Sequence, residues 1–277
     1  MALSETQKRE FVRNGFLVVD DAVSASVCEA ARRSVWDAVD EAPDDPAALR
    51  AAESPGNFSN QNSGVNDLDD HLDAAPFEAM LEQVFPYAEA LVGEGNLPAP
   101  GEDLPGVECL HSTAVNPVVR YPREDIDPAD PNGAGPNPPV AENRNPHVDA
   151  LDNHKPWTVI VVVLFDDVYP RSGGFTVWPG SHRLVADWFR EHPVESIEPL
   201  PDELADRIGP GYEAAGSAGT AVLAHNKTLH SSGPVYGARP RLAAIANLSR
   251  RDVADHGEEF YTDLWRYWDG LDGIGAE

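Results

Sequence analysis

The sequence predicts a mainly β fold of the α+β class, a jelly-roll core with flanking helices. Three observations point there. The first hundred residues carry helical periodicity broken by Pro- and Gly-rich stretches. From Val107 onward the chain turns to short β-branched runs separated by turn residues. Residues able to ligate a metal sit on widely separated runs, with no strand–helix–strand rhythm between them. The expected organisation is a single domain over 1–277: a mostly helical part over 1–105, a jelly-roll core over 106–250 and a helical C-terminal segment over 251–277.

Ser4-Glu5-Thr6-Gln7 is a capping-box pattern and opens a short helix through Phe11 and Val12, which Gly15 ends. Phe16-Leu17-Val18-Val19 reads as a strand. Val27, Ala31, Val35 and Val39 recur at helical spacing, so a helix is expected from Ser24 to about Val39. Asp40 to Asp73 is rich in Pro, Asp, Asn and Ser without periodicity and reads as a long loop or a partly ordered excursion. Phe77 to Val92 reads as a helix disturbed at Pro86. Short strands are expected at 112–115 and 118–121, then a polar loop from Pro122 to Asn145. Trp157 to Phe165 is an apolar, β-branched run of the kind that forms a buried central strand. Phe175 to Trp178 follows as a strand, and Pro179-Gly180-Ser181-His182 as a turn whose Ser181 could cap a helix over 183–190. Glu191 to Ala218 reads as irregular. Strands are expected at 220–225 and 242–248, and an aromatic helix at 260–268.

The charge is unusual. Forty-seven acidic residues face twenty basic ones, for a formal net charge of −27. Such a surface repels nucleic acid and anionic membranes, which leaves small molecules as the expected partners. Lysine occurs only at positions 8, 155 and 227. Self-repulsion of this size is tolerable where salt screens it, and the pattern predicts adaptation to a salt-rich, halophilic cytoplasm. No run reaches the roughly 18 uncharged apolar residues of a membrane span. The stretch Met1 to Thr6 lacks a basic-then-apolar leader, and Cys28 and Cys109 are too few for a disulfide framework. A reducing cytoplasm is the expected location.

Chemistry concentrates around Asn145-Pro146-His147-Val148-Asp149. In extended backbone, His147 and Asp149 at i and i+2 point to the same side, so an imidazole nitrogen and a carboxylate oxygen converge. A His-x-Asp alone is more often a surface pair or a structural hydrogen bond. Its place just before a buried apolar strand makes a rigid metal site the sharper reading. A distant histidine would complete a 2-His-1-carboxylate triad, the arrangement that leaves open positions on non-haem Fe(II) for substrate and O2. His230, in Leu229-His230-Ser231-Ser232-Gly233, is the leading third ligand, and His225 competes with it. The two differ by an odd number and would face opposite sides of a continuous strand. Arg241 opens the last apolar strand and offers a fork-shaped cation for a carboxylate. Arg239 competes but precedes Pro240 and reads as turn. The bland reading of Arg241 is a buried ion pair with one of many acids.

Taken together, Asn14-Gly15-Phe16-Leu17-Val18-Val19, His147-x-Asp149, the segment Gly174-Phe175-Thr176-Val177-Trp178-Pro179-Gly180-Ser181-His182, His230 and Arg241 resemble the phytanoyl-CoA dioxygenase (PhyH) family of Fe(II)/2-oxoglutarate oxygenases. The resemblance runs from about Ser4 to Ser249. It implies a double-stranded β-helix of the cupin-like kind, Fe(II) held by His147, Asp149 and His230, and the C5 carboxylate of the co-substrate 2-oxoglutarate held by Arg241 with help from Ser232. His230, not His225, keeps the family's spacing to Arg241. The implied reaction hydroxylates a small organic substrate with O2 while 2-oxoglutarate becomes succinate. Retention of Asp149 favours hydroxylation over halogenation, because related halogenases lack this carboxylate. A cupin-like metal-dependent isomerase or hydrolase, and a non-catalytic binding protein on the same fold, are the readings from other classes. Arg241 speaks against the first and the intact ligand set against the second. His182 is read as a turn residue and Trp178 as core. Arg120 and Tyr121 are read as facing the pocket or an edge ion pair. Tyr261, Trp265 and Trp268 are read as packing or a homodimer contact.

The charge balance generates the first prediction. The melting temperature should rise between low and molar KCl as screening relieves the repulsion among acids. A melting temperature that stays flat across that range would remove the salt-adaptation reading.

Overall fold

The computed structural model describes residues 3–52, 56–57, 72–102, 115–122, 146–149, 157–195, 197–233, 235–255 and 259–275. In chain order they form α1 (Glu5–Asn14), β1 (Phe16–Val19), α2 (Ala25–Ala38), α3 (Pro46–Ala51), β2 (Gly56–Asn57), α4 (Ala75–Val92), β3 (Asn116–Arg120), β4 (Val159–Leu164), β5 (Phe175–Val177), α5 (Ser181–Glu191), α6 (Asp202–Ala205), β6 (Tyr212–Glu213), β7 (Ala221–His225), β8 (His230–Ser232), β9 (Arg241–Leu248) and α7 (Glu259–Thr262). Short 3-10 turns follow at Val253–Asp255 and Asp269–Leu271. No helix among these residues is long and apolar enough to cross a membrane.

Two antiparallel sheets build the jelly roll. The larger runs β1-β7-β4-β9-β3-β2 and the smaller β6-β5-β8. Strict alternation along the central strands gives the large sheet two apolar faces. Val159, Val161 and Val163 of β4, Leu223 of β7, and Leu242, Ala244 and Ala246 of β9 pack with Phe11, Val35, Met80 and Leu91 from the helices. Ile160, Val162, Leu164, Val222 and Ala243 point the other way and meet Phe175 and Val177 of the small sheet. This second face is the interior of the roll. A third apolar cluster, with Val148, Trp178, Val185, Phe189, Phe260 and Tyr267, closes one end around α5 and α7.

The capping box forms as expected: the Gln7 N–H donates to Ser4 Oγ at 3.3 Å, and the Ser4 N–H donates to Gln7 Oε1 at 3.0 Å. Within Asp40 to Asp73 the chain orders at α3, where Asp45 caps the helix by accepting from the N–H groups of Ala47 and Ala48, and Pro46 opens it. Two expectations need correction. Ser181 is not the cap of α5. Gly180 holds that position, and the Ser181 hydroxyl instead accepts the Leu229 N–H at 2.9 Å. The aromatic C-terminal stretch is helical only over Glu259–Thr262, since its polar contacts go to side chains elsewhere and not to a continued helix. Most of the expected strand over 112–115 and the loop over 123–145 lie outside the described residues.

Gly15 ties the helical layer to the roll. It ends α1 in the left-handed region at φ 81°, which glycine adopts without a Cβ penalty. Its carbonyl accepts from the His225 N–H at 2.9 Å and from Thr228 Oγ1 at 2.8 Å. A Cβ there would sit 2.4 Å from His182 Nδ1 and 2.7 Å from Thr228 Oγ1. Gly180 has a similar φ, 79°, but open space around it. Gly180→Ala should therefore cost about 1–2 kcal/mol, the left-handed penalty alone. Gly15→Ala should lose about 1–3 kcal/mol more from overpacking. Urea denaturation of both variants checks this, and equal midpoints would contradict it.

Candidate metal centre

Backbone pairing puts the predicted ligands together. His147 and His230 face each other in an antiparallel bridge, each donating its N–H to the other's carbonyl at 3.0 Å. Directly paired residues of this kind carry their side chains on one face. The partners of β8 in β5 are Val177 opposite His230 and Phe175 opposite Ser232, and both belong to the roll interior. The imidazoles of His147 and His230 therefore project inward side by side, with ring centroids 4.7 Å apart. Asp149, two residues after His147, presents its carboxylate to both. Oδ1 lies 3.6 Å from His147 Nε2 and Oδ2 lies 3.2 Å from His230 Nε2. Among the described residues, this trio offers three ligand atoms all within 4.8 Å of one another.

The donor set suits a cation. His230 Nδ1 lies 3.0 Å from the Thr228 carbonyl, an acceptor, so Nδ1 carries the proton and the Nε2 lone pair points at the site. Burial alone would push the Asp149 carboxyl up, but the imidazole of His230, and then that of His147, outweigh it and hold the group below its usual range. Burial pushes His230 down, and Asp149 more than offsets that. An ionised carboxylate beside two nitrogen donors is the chemistry of a 2-His-1-carboxylate metal site.

The competing histidines have other occupations. His225 is fully buried, and both ring nitrogens are engaged. Nε2 meets the Leu264 carbonyl at 3.1 Å and Nδ1 accepts the Lys227 N–H at 3.0 Å. Its ring stacks on Trp268 at 4.6 Å, and burial drives its pKa well below the ordinary value. His182 sits in the first turn of α5 with Nε2 3.2 Å from the Val12 carbonyl, and burial pulls it down to about 3. Trp178 is core. Among Tyr261, Trp265 and Trp268, Trp268 packs on Phe11 at 5.1 Å and Trp265 on His225 at 5.3 Å.

Arg241 opens β9 in alternation with Ala243 and so faces the roll interior; it is 4% exposed. Its Nε is buried and has no hydrogen-bond partner among the described residues. Arg239 is on the surface, 3.4 Å from Asp166 and over the Tyr169 ring. Arg120 is the residue that sequence reasoning undervalued. It ends β3 directly opposite Arg241, and its Nε is also buried with no partner among the described residues. Register across a sheet is not written in either strand, which is why a pocket role and an edge ion pair looked equal. No carboxylate among the described residues pairs with either arginine. Burial, and then the like charge of Arg120, push Arg241 down to about 9. That direction registers a missing counter-charge, because a guanidinium stays protonated in proteins. Ser232 shares the inward face with His230.

Comparison with known proteins agrees with this layout. A family model described as phytanoyl-CoA dioxygenase (PhyH) matches residues 132–243, the stretch that holds His147, Asp149, His230, Ser232 and Arg241. The structure of SnoN, a non-heme alpha ketoglutarate dependent epimerase from nogalamycin biosynthesis, superposes with a TM-score of 0.53 at 20% identity, over 88% of this chain and 82% of that one. SnoN has also been seen in complex with Fe3+, alpha ketoglutarate and nogalamycin RO. EctD from S. alaskensis superposes with a TM-score of 0.50 at 18% identity, over 89% of this chain and 76% of its complex with 2-oxoglutarate and 5-hydroxyectoine. At these identities the two structures speak to the fold alone. No curated protein matches the chain. The His-x-Asp and the distal histidine thus lie inside the segment that matches the phytanoyl-CoA dioxygenase family model.

Proposed function

We propose that the protein is an Fe(II)- and 2-oxoglutarate-dependent dioxygenase that hydroxylates a small organic substrate. One substrate C–H, one 2-oxoglutarate and one O2 give the alcohol, succinate and CO2. The observation that carries this reading is the presence of two features on the inward face of the roll: a His–Asp–His trio, and a buried arginine whose Nε has no partner among the described residues. A metal accounts for the first, and an anionic co-substrate bound beside it would account for both.

His147, Asp149 and His230 would hold the metal, which with bound 2-oxoglutarate supplies activation of O2. The remaining work belongs to the chain. The Thr228 carbonyl keeps the His230 proton on Nδ1, so that ligand cannot turn its protonated edge to the site. Arg241 would grip the distal carboxylate through two parallel charge-assisted hydrogen bonds. Ser232 would donate its hydroxyl to the same group. Arg120 adds a second positive charge opposite Arg241, and the dianion would relieve the repulsion between them. Phe175, 5.6 Å from the His230 ring, together with Val177 walls off water.

Two expected outcomes test this. His147→Ala and His230→Ala should each abolish Fe(II) retention after anaerobic reconstitution while far-UV circular dichroism stays unchanged. Unchanged iron stoichiometry in both would remove the site assignment. Arg241→Ala should raise the apparent constant for 2-oxoglutarate about a hundredfold, since losing a buried charged donor costs roughly 2–4 kcal/mol and each 1.4 kcal/mol is tenfold. Lys at this position should not restore it, because it lacks the planar fork. Titration of 2-oxoglutarate into the Fe(II) protein, followed by the visible charge-transfer band of the chelate, reads the constant directly. Equal affinities in wild type and Arg241→Ala would leave a metal protein that does not use 2-oxoglutarate in this way.

A further inference from the structure

The turn that delivers His230 to the site is fastened to the C-terminal segment by two groups that the chemistry does not use. Lys227 is 1% exposed, a rare place for an ammonium. Its Nζ donates to the Phe260 carbonyl at 2.9 Å and lies 5.6 Å from the Phe260 ring centroid. Its backbone N–H donates to His225 Nδ1, and the opposite edge of that imidazole donates from Nε2 to the Leu264 carbonyl at 3.1 Å. Thr228, the next residue, donates its N–H to the His225 carbonyl at 2.8 Å and its hydroxyl to the Gly15 carbonyl at 2.8 Å. The carbonyl of that same Thr228 accepts the Nδ1 proton of His230.

These contacts form one chain from the C-terminal segment to the metal-facing nitrogen. Phe260 and Leu264 hold Lys227 and His225, these two hold the turn, and the turn sets the Thr228 carbonyl on which the orientation and tautomer of His230 depend. On its other side the turn is held by Asn226, whose side-chain amide donates to the Trp157 carbonyl at 2.9 Å, and by Leu229, whose N–H donates to Ser181 Oγ at 2.9 Å; Lys227 and His225 are its fastenings to the C-terminal segment. Burying a lysine is unfavourable without compensation. A hydrophobic residue of the same length would pack there without that penalty but would remove the Lys227 donor from the Phe260 carbonyl.

We propose that Lys227 and His225 are positioning residues for His230, and that the segment from Phe260 to Leu264 is the frame against which the metal ligand is set. This rests on the reading of His147, Asp149 and His230 as a metal site. Groups that hold a histidine ligand from behind are worth about 10–100-fold in metal affinity or activity.

The test uses the full-length protein loaded with Fe(II), and with Co(II) as a spectroscopic probe. Lys227→Met keeps the length of the side chain and removes the donor, and His225→Phe keeps the stacking on Trp268 and removes both hydrogen bonds. Each should weaken Fe(II) binding by about 10–100-fold and alter the visible Co(II) spectrum. In protein saturated with metal, the 2-oxoglutarate constant should stay near wild type, because Arg241 and Ser232 are untouched. Lys227→Arg, which keeps a donor, should recover most of the Fe(II) affinity and the wild-type spectrum. Folded Lys227→Met and His225→Phe proteins with wild-type Fe(II) affinity and Co(II) spectrum would overturn the proposal. If neither variant folds, hydrogen exchange on the wild type decides. Coupling between two sites is reciprocal, so Co(II) loading must slow exchange across 259–266 as well as across 225–230. Protection confined to the ligand strands would overturn it. Failure of the wild type to bind Fe(II) would instead remove the underlying metal reading.

Discussion

The two backbone hydrogen bonds between His147 and His230 are the constraint on which the site depends. They join a short extended piece, described only over 146–149, to the edge of β8. One bridge fixes three things. It selects the face on which both imidazoles project, it sets their separation, and it brings Asp149 to the same face two residues on. A slip of one residue would turn the whole set away from the interior. The neighbouring ladder of β5 and β8 secures the register from the other side, because Phe175 and Val177 must meet the apolar inner face of the large sheet. The burial of ordinary valines and phenylalanines thus holds the coordination geometry, and the polar site takes its rigidity from packing that has no chemistry of its own.

Much of this was legible in the sequence, and the reasons differ by element. The capping box at Ser4, the glycine end of α1 and the β-branched run of β4 are local signals, and local physics decided them. The i, i+2 pair of His147 and Asp149 was legible because extended backbone has a period of two whatever its partner. Parity showed only that His225 and His230 face opposite sides, and the choice of His230 rested on the spacing to Arg241 that the family resemblance implies. What covers His225 was not, since Leu264 and Lys227 reach it through tertiary contacts. Arg120 was half legible, as an inward residue of a strand, but its place opposite Arg241 is a matter of register. α3 was hidden by a stretch whose composition reads as loop, although Asp45-Pro46 is a helix start. The C-terminal aromatic stretch was misread as one helix because its spacing is helical. Its carbonyls are instead taken by side chains: Lys227 holds Phe260, Arg190 holds Thr262, His225 holds Leu264 and Arg250 holds Tyr267.

That pattern bears on how so acidic a chain uses its few cations. With −27 net charge, basic groups are scarce, and a surface salt bridge contributes little, typically below about 1 kcal/mol. Several of the basic side chains are placed wholly or partly out of water, where a single donor matters more. Lys8 donates to the Gly270 carbonyl at 2.7 Å, Lys227 to Phe260, and Arg250 to Tyr267 while its other edge engages Asp252. Arg120 and Arg241 stand inside the roll. The same field that repels anions at the surface makes such an interior pair selective. On the proposed reading, a dicarboxylate would cross an unfavourable outer potential and be retained where fixed guanidinium donors await it. Salt that screens the surface lowers that outer barrier while leaving the buried pair largely unscreened. Concentrated electrolyte would then help both the fold and the capture of an anionic co-substrate, so the acidic exterior and the arginine-lined interior work under one condition and not against each other.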